Sequence, residues 1–419
     1  MKKPPLNVFA ERSPVGALRR SDIEEATFLF GYREACPAEH AVSLTMPIRA
    51  DQYDSMSGLL PVFEMNLPEG VLKDRLRRQL AKAIPEFDDL DLLQIVGTSQ
   101  IGRLRYSQQA QPEEAVPTQD LAEILTYRGS ADLFAYLLER FATHSGISGM
   151  QPKVLVRDLK APEKVRHHGA THIVKSFDAA EYPELAANEL ICTLGAAAAG
   201  ITTSRVQISE NRQFLVVDRF DLTPEGTYLG IEDFCVLDGR RAHGRYDGSY
   251  EGVAKRMTSF VSPRVLGPAR EQYALMVAYS CAIGNGDAHL KNFSVLYRDP
   301  EDQIELAPAY DIVSTLPYIR RDSLALTMDG DKRFPDRARL LKFIRQVTGR
   351  SERSAIRLIE QVATGVNTAL AHAAEYGKQY PDAGKFVERL THVMRSGLDR
   401  LAERQVREFV PDTQAEPSP

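Results

Sequence analysis

One short segment, GNGDAHLKNFS (284–294), carries an Asp, a His, a Lys and an Asn within six positions. Asp287 and Asn292 lie five residues apart, and Asp311 of APAYDIVS follows Asp287 by 24 residues (311 − 287). In protein kinases one Asp deprotonates the acceptor hydroxyl, and an Asn five residues later and a further Asp bind Mg²⁺. Oxygen ligands suit Mg²⁺ because it is a hard cation. The spacing predicts phosphoryl transfer; alone, it also fits a polar turn that caps the next helix.

A lysine inside an apolar strand is the second chemical signal. Lys175 lies in THIVKSFD (171–178), and a lysine there is costly unless its ammonium group has an anionic partner. We expect it to contact nucleotide phosphates and to pair with Glu189 in the middle of the next helix. Glu184 is the weaker candidate because a carboxylate in the first helical turn is equally explained by the helix dipole. The alternative is an edge strand whose lysine reaches water.

A glycine-rich segment, HSGISGMQPK (144–153), precedes a predicted strand. Loops of this composition at a strand junction can present backbone N–H groups to phosphates, although by itself the segment also fits an ordinary turn. The serial order is a Gly-rich loop, a strand lysine, a helical Glu and then Asp, Asn and Asp. That is the order of the functional parts of a kinase.

The elements that must position these residues divide near residue 221. KVLVRDL, THIVKSF, RVQIS and FLVVDRF are predicted strands, and PELAANELICTLGAAAAG and VLKDRLRRQLAKAI (71–84) are predicted helices. Beyond residue 265 the periodicity is mostly helical, in REQYALMVAYSCAIG, RARLLKFIRQVTG and SERSAIRLIEQVATGVNTALAHAA. We predict an α+β fold of two lobes. The expected domains are 1–108, a linker or loop at 109–117, the rest of the strand-rich lobe at 118–220, a helical lobe at 221–410 and a disordered tail at 411–419.

The composition narrows the classes of partner. The 419 residues carry a formal charge of −5, so the chain as a whole has no strong attraction to nucleic acid. Its four cysteines form no CxxC pair, which indicates reduced thiols, and no apolar run approaches the ~20 residues of a membrane span. The start, MKKPPLNVFAERS, has no apolar segment typical of a secretory leader. A cytoplasmic protein without a membrane partner is expected.

These segments resemble the HipA family, the kinase toxins of bacterial toxin–antitoxin pairs, over nearly the whole chain. The matching segments are GISGMQPK, THIVKSF, YPELAANE, LVVDRFD, GNGDAHLKNFS and YDIVS, and VFEMNLPEG (62–70) resembles part of the family's N-terminal subdomain. The resemblance implies a bilobed protein-kinase-like fold that binds ATP and Mg²⁺ and phosphorylates Ser or Thr. It also implies a small helix-turn-helix antitoxin that supplies the DNA binding, and a protein substrate of the aminoacyl-tRNA synthetase class.

The resemblance also implies roles for individual residues. Asp287 would be the catalytic base, Asn292 and Asp311 the metal ligands, and Lys291 a group that helps to position the transferred phosphoryl group. The residues implied at the nucleotide are Ser148, Gly149, Met150, Gln151, Pro152 and Lys153 of the loop, Lys175, the hinge residues Asp218, Arg219 and Phe220, and His289 and Tyr310.

The chain departs from the family in two places. Many members have a self-phosphorylated serine where this chain has Gly146, so Ser148 is the expected site of inhibitory autophosphorylation. Gly230-Ile231 replaces a frequent His-Gln pair, although Glu232, Asp233 and Phe234 follow as expected. The arginine-rich RRAHGR (240–245) is either a surface loop or a basic patch for a substrate. Two rival functions stay open: a kinase with another target, and a catalytically silent, nucleotide-sensing subunit of an antitoxin–DNA repressor complex.

Overall fold

A computed structural model describes residues 3–23, 27–56, 58–80, 84, 86–113, 116–128, 132–149, 151–160, 169–177 and 179–402. The strands are β1 Leu6–Ala10, β2 Ser13–Arg20, β3 Thr27–Tyr32, β4 Tyr53–Met56, β5 Leu104–Ser107, β6 Thr118–Gln119, β7 Lys153–Asp158, β8 His172–Ser176, β9 Val206–Ile208, β10 Phe214–Asp218, β11 Gly230–Asp233, β12 Ser294–Tyr297 and β13 Glu305–Leu306. The helices are α1 Pro61–Glu64, α2 Gly70–Leu80, α3 Asp89–Val96, α4 Leu121–Leu125, α5 Leu133–Phe141, α6 Leu185–Ala198, α7 Phe234–Leu237, α8 Tyr250–Phe260, α9 Leu266–Ile283, α10 Arg337–Thr348, α11 Glu352–Gln379 and α12 Gly384–Leu401.

The strands form separate sheets. An N-terminal antiparallel sheet has the order β4-β3-β2-β1-β5. A second sheet has the order β6-β7-β8-β10-β9, in which only the β6–β7 pair is parallel among the described strands. A third sheet, β11-β12-β13, lies with the helical part of the chain. We call the part that carries the first sheet the N-terminal subdomain and the part that carries the second the strand-rich lobe.

Two large apolar cores hold these parts together. One is shared by the N-terminal subdomain and the strand-rich lobe, since Phe63 and Tyr106 belong to the same buried cluster as Val154 and Val174. The other is formed mainly by α8 to α12, the helical lobe. Helix α6 precedes residue 221, yet most of its buried face belongs to this second core. It lies against α11 where Gly365 approaches the carbonyl of Gly195 too closely for a side chain.

The pattern-based predictions of the elements are largely confirmed. The predicted strands correspond to β7, β8, β9 and β10, and the predicted late helices to α9, α10 and α11. The helix predicted at 71–84 is α2, although 81–83 lie outside the described residues, as does the predicted disordered tail at 411–419. Edge placement of Lys175 is wrong: β8 lies between β7 and β10. The lysine is therefore inside the sheet and needs a partner.

The four cysteines are free thiols in the structure. Cys192, Cys235 and Cys281 are buried free thiols, and Cys36 is half-buried. Within the described ranges, we find no helix that combines the length and the apolar character needed to cross a bilayer.

Candidate functional site

The predicted site residues meet in one cleft between the strand-rich and helical lobes. Those that line it are Ser148, Gly149, Gln151, Lys153, Lys175, Glu189, Asp218, Arg219, Phe220, Asp287, His289, Asn292, Tyr310 and Asp311. Pro152 does not line it, and its carbonyl accepts the amide of Ser176 at 2.9 Å. Met150 lies outside the described residues. Residues up to 163 positions apart (311 − 148) are therefore brought to one place.

Lys175 connects the two lobes at the base of the cleft. Its ammonium lies 2.5 Å from Oε1 of Glu189 and also contacts Asp311, while its side chain is only 4% exposed. Burial alone would lower the pKa of Lys175, but the carboxylates of Asp311 and Glu189 outweigh it and raise that pKa above its ordinary value. Glu184 is engaged elsewhere, with Arg212 and Tyr376. Lys175 is thus a charged ammonium whose partner is the mid-helix glutamate.

A second buried lysine, Lys153, stands beside Lys175. The two are directly opposite each other in the β7–β8 register, an arrangement that repels like charges. Lys153 is 5% exposed and lines the cleft, and among the described residues no side chain or carbonyl forms a hydrogen bond or ion pair with its ammonium group. Burial lowers the pKa of Lys153. A buried ammonium without a partner in the described chain is a strong place for an anion to bind.

The backbone that carries Asp287 is shaped by a helix end. Helix α9 ends at Gly284, whose φ of 69° places it in the left-handed region that glycine tolerates best. Two residues later the amide of Gly286 donates to the hydroxyl of Thr315 at 2.8 Å, and the amide of Asp287 donates to the side chain of Asn285 at 2.9 Å. The following 3-10 turn, Leu290–Asn292, has His289 and not Asp287 at its N-cap position. The carboxylate of Asp287 faces the cleft.

Asp287 accepts a hydrogen bond from a residue that the sequence did not indicate. The hydroxyl of Tyr246 donates to Oδ1 of Asp287 at 2.8 Å. Asp287 stays exposed at the cleft, but partial loss of hydration raises its pKa, an effect that the Tyr246 hydrogen bond opposes. Burial, followed by the charges of Arg245 and Lys291, lowers the pKa of His289 to about 4, so its imidazole is neutral at pH 7.

Asn292 and Asp311 lie at the same edge of the cleft. Oδ1 of Asn292 accepts the amide of His289 at 3.0 Å, so the polar-turn alternative holds for Asn292 but leaves its second lone pair available. Asp311 has a φ of 53°, a strained conformation for a residue other than glycine and one typical of functional sites. Burial acts to raise its pKa, but the ammonium groups of Lys175 and Lys153 hold that pKa well below its ordinary value. Asp311 is an anion.

This donor set suits Mg²⁺ only together with a phosphate ligand. No cluster of three His, Cys, Asp or Glu side chains able to hold a metal occurs among the described residues. Mg²⁺ in nucleotide sites is commonly bound by one or two protein oxygens plus phosphate and water. Asn292 and Asp311 supply that number and kind of oxygen, and the neighbouring lysines supply positive charge for phosphates.

The predicted hinge segment is fixed by buried polar groups. Arg219 has a fully buried side chain that donates to Asp221 at 2.6 and 3.0 Å, to the carbonyl of Ala170 and to the carbonyl of Gln100. Asp221 also accepts the amide of Gly102 at 2.6 Å. The Arg219 side chain is thus bound within the protein and links the predicted hinge segment to the N-terminal subdomain. Phe220 instead packs on Tyr310, with ring centroids 5.7 Å apart, beside the cleft.

Two backbone hydrogen bonds join the start of the glycine-rich loop to the N-terminal subdomain. The amide of Gly146 donates to the carbonyl of Ser99 at 2.9 Å, and its carbonyl accepts the amide of Ile101 at 3.2 Å. A side chain at position 146 would overlap the buried amide group of Gln100. Gln100 therefore fills the space that a serine would need at Gly146, which explains the glycine.

The N-terminal subdomain also contacts segment 284–294, which carries Asp287, and sequence patterns did not indicate this contact. Glu69 contacts the ammonium of Lys291 and lies 2.9 Å from the guanidinium of Arg245. Burial would raise the pKa of Glu69, but Lys291 and then Arg245 lower it below its ordinary value. Glu64 pairs with Arg241 at 3.0 Å. The arginines of 240–245 are thus engaged within the protein, contrary to a free basic patch.

The segment that departs from the family pattern is tightly packed. Glu232 is 1% exposed and accepts from Ser43 at 2.5 Å, from the amide of Leu44 at 2.8 Å and from Tyr297 at 2.6 Å. A side chain at Gly230 would meet the Tyr297 ring. Glycine is therefore required where relatives often carry histidine.

Comparison with known families gives two adjoining matches. Residues 145–370, 226 of the 419, match the HipA-like C-terminal domain, and residues 6–107 match the HipA N-terminal domain. The chain is 29% identical over 338 residues to a Sinorhizobium fredii protein named "Putative kinase Y4mE", covering 75% of this chain and 78% of that protein. It is 37% identical over 123 residues to "Putative kinase Y4dM" of the same organism, a match that covers 29% of each chain.

A solved structure shares the fold. HipA of Shewanella oneidensis MR-1, solved in a toxin–antitoxin complex with HipB and its operator DNA, aligns with a TM-score of 0.68 at 20% identity. The alignment covers 94% of this chain and 97% of that one. The predicted α+β, bilobed kinase-like fold with an extra N-terminal subdomain is confirmed. Because a family match extends over more than half of its length, this chain belongs to the HipA family.

Proposed function

We propose that this protein is an ATP- and Mg²⁺-dependent serine/threonine protein kinase of the toxin type. The observation that carries the proposal is the pair of buried lysines, Lys153 and Lys175, which faces Asp287, Asn292 and Asp311 across one cleft. Phosphoryl transfer requires cations that bind the phosphates, oxygen ligands for the metal ion and a carboxylate base. The two walls of this cleft carry residues of these kinds. The kinase names of two relatives support the same activity.

Each residue has a distinct role in the proposed reaction. Lys153 and Lys175 bind phosphate oxygens, and Glu189 keeps Lys175 in place. Phe220 and Tyr310 form the aromatic wall beside the hinge. Asp287 orients the acceptor hydroxyl and receives its proton, while that oxygen bonds to the γ-phosphorus and ADP leaves. Asn292 and Asp311 would hold Mg²⁺, which when bound offsets the charge of the phosphates.

Ser148 is the proposed site of inhibitory autophosphorylation. It lines the same cleft as Lys153 and Lys175. A phosphate there adds roughly two negative charges and competes for the same ammonium groups as ATP. Gly146 cannot take this role because it has no hydroxyl, and Gln100 occupies the adjoining space.

Partners and location are proposed on the same basis. A small helix-turn-helix antitoxin agrees with the HipB and operator DNA in the Shewanella complex and with the net charge of −5, which disfavours direct DNA binding by this chain. The protein substrate is proposed to be a cytoplasmic protein of the aminoacyl-tRNA synthetase class. A shift of DNA by the purified chain without an antitoxin would contradict the partner proposal.

Incubation with γ-labelled ATP and Mg²⁺, followed by mass mapping, tests the function. The wild-type protein should carry label on Ser148, Ser148→Ala should lose that label, and Asp287→Ala should carry none anywhere. Label in Asp287→Ala equal to wild type would contradict the assigned base. Mg²⁺-dependent ATP binding without transfer, even to synthetases added as acceptors, would favour the silent nucleotide-sensing subunit instead.

A further inference from the structure

The hydroxyl of Tyr246 lies where the hydroxyl of a substrate has to lie. It donates to Oδ1 of Asp287 at 2.8 Å. A general base must be about 2.6–3.2 Å from the group whose proton it receives, so Tyr246 already satisfies the distance required of an acceptor. Neither the family resemblance nor the spacing of residues assigns a role to this tyrosine.

The backbone before Tyr246 is anchored, whereas its side chain is only half-buried. The carbonyl of Arg245 accepts the amide of Leu290 in segment 284–294 at 3.1 Å, and the Arg245 guanidinium is held by Glu69. Tyr246 itself is 45% exposed, and its ring lies edge-on to His289 with centroids 5.0 Å apart. The phenol can therefore leave Asp287 by rotating its side chain into solvent, without any movement of the core.

Tyr246 can keep its phenolic proton while its hydroxyl is bound to Asp287. Burial, and then the charge of Asp287, raises the pKa of Tyr246 above its ordinary value, so its hydroxyl remains a donor at neutral pH. His289 is neutral and offers no competing charge. The contact is thus a stable neutral-to-anion hydrogen bond, of the kind that an acceptor serine would also form.

We propose that Tyr246 occupies the acceptor's position on Oδ1 of Asp287 and denies that one position to water until a protein acceptor displaces it. The inference rests on the proposed kinase function. A seryl or threonyl hydroxyl on a peptide segment replaces the phenol by binding to the surrounding surface, whereas a single water molecule has no such additional contacts. Tyr246 is accordingly a residue that favours transfer to protein over hydrolysis of ATP.

The test is ATP hydrolysis measured with Mg²⁺ and without any protein acceptor. In that reaction water gives a proton to Asp287, its oxygen bonds to the γ-phosphorus, and the bond to the ADP oxygen breaks. Tyr246→Phe should raise the hydrolysis rate roughly 3- to 10-fold, the factor that corresponds to loss of one hydrogen bond, with an unchanged Kd for ATP. The double variant Tyr246→Phe/Asp287→Asn should abolish the increase.

A matched control excludes a general effect of losing a tyrosine hydroxyl. Tyr136 is 48% exposed, accepts from Arg140 at 2.6 Å and lies outside the cleft, so Tyr136→Phe should hydrolyse ATP at the wild-type rate. A purely structural role for Tyr246 predicts a slower enzyme with a lower melting temperature, and not a faster one.

Three results would overturn the inference. Hydrolysis by Tyr246→Phe that is equal to or slower than wild type, with ATP binding intact, would show that the phenol does not protect the base. Phosphate found on Tyr246 itself would make the phenol a substrate and not a cover. If neither wild type nor variant binds Mg²⁺–ATP, the proposed kinase function fails, and this inference fails with it.

Discussion

Oε1 of Glu189 lies 2.5 Å from the ammonium of Lys175, and the same ammonium contacts Asp311 from the other side of the cleft. One cation therefore joins helix α6, strand β8 and the segment that carries a proposed metal ligand. Since Lys175 and Glu189 are almost fully buried, the pair is set by the fold and does not depend on solvent.

Glu189→Gln should lower the rate of phosphoryl transfer, with a smaller effect on the stability of the fold. The amide still fills the space and can still accept a hydrogen bond, but it no longer supplies the charge that orients Lys175 towards a phosphate. We expect kcat/KM for labelled-ATP transfer to fall at least about tenfold, equivalent to ~1.4 kcal/mol. Glu184→Gln is the matched control because Glu184 pairs with Arg212 and not with Lys175, and equal losses in both variants would refute this role.

Gly146→Ser should destabilise the protein, because the new side chain meets Gln100, which is completely buried. Overpacking of this kind costs roughly 1–3 kcal/mol, and urea unfolding measures it. The double variant Gln100→Ala/Gly146→Ser removes the amide group that the new serine would meet, so it should recover part of the lost stability. At Gly267 a side chain would meet open space, so Gly267→Ser should leave stability unchanged or improved. A neutral Gly146→Ser would contradict the packing explanation for this departure from the family.

Glu69→Gln should impair catalysis although residue 69 belongs to the N-terminal subdomain. Its carboxylate holds Lys291 and Arg245, which flank Asp287 in the cleft, and the amide would release both cations. We expect roughly a tenfold lower kcat for labelled-ATP transfer with a smaller change in the KM for ATP.

Two further variants separate position from charge. Glu69→Asp keeps the charge and should restore part of the rate. Glu64→Gln breaks an ion pair with Arg241, and neither of these residues lines the cleft, so it should have a smaller effect. A loss of rate in Glu64→Gln as large as that in Glu69→Gln would show a general loosening of the subdomain.

Asp287→Asn should make the folded protein more stable at neutral pH. Partial loss of hydration in the cleft raises the pKa of Asp287, so the folded state holds its ionised form somewhat less favourably than the unfolded state does. The wild type is therefore penalised at pH values above this raised pKa, and the penalty disappears as the carboxyl is protonated on acidification. Thermal melts should show a higher Tm for Asp287→Asn at pH 7 and a smaller difference near pH 4. A lower Tm for Asp287→Asn at pH 7 would contradict this.

Much of this arrangement could be predicted from local sequence. Lys175 interrupts an apolar strand, and Glu189 lies on the next helix, so a short-range pattern was sufficient to pair them. The Asp287–Asn292 spacing and the segment around Asp311 likewise predicted both proposed metal ligands. Asn292 and Asp311 both line the cleft.

The contacts from the N-terminal subdomain could not be predicted in this way. Glu69 and Lys291 are 222 residues apart, and Gln100 meets Gly146 across a boundary that composition marks as a linker. Tyr246 follows an arginine-rich stretch that favours a surface loop, and nothing in its spacing points to Asp287. Such contacts depend on how the subdomain and the lobes pack. The hydrophobic periodicity of a helix or a strand carries no information about that packing.

The most direct measurement is a comparison of wild type with Asp287→Asn for both ATP binding and γ-phosphate transfer in the presence of Mg²⁺. If Asp287 is the base of a kinase, the two proteins should bind Mg²⁺–ATP with similar Kd, while transfer falls at least about 100-fold in the variant. Equal transfer by both proteins would contradict the kinase mechanism proposed for this cleft.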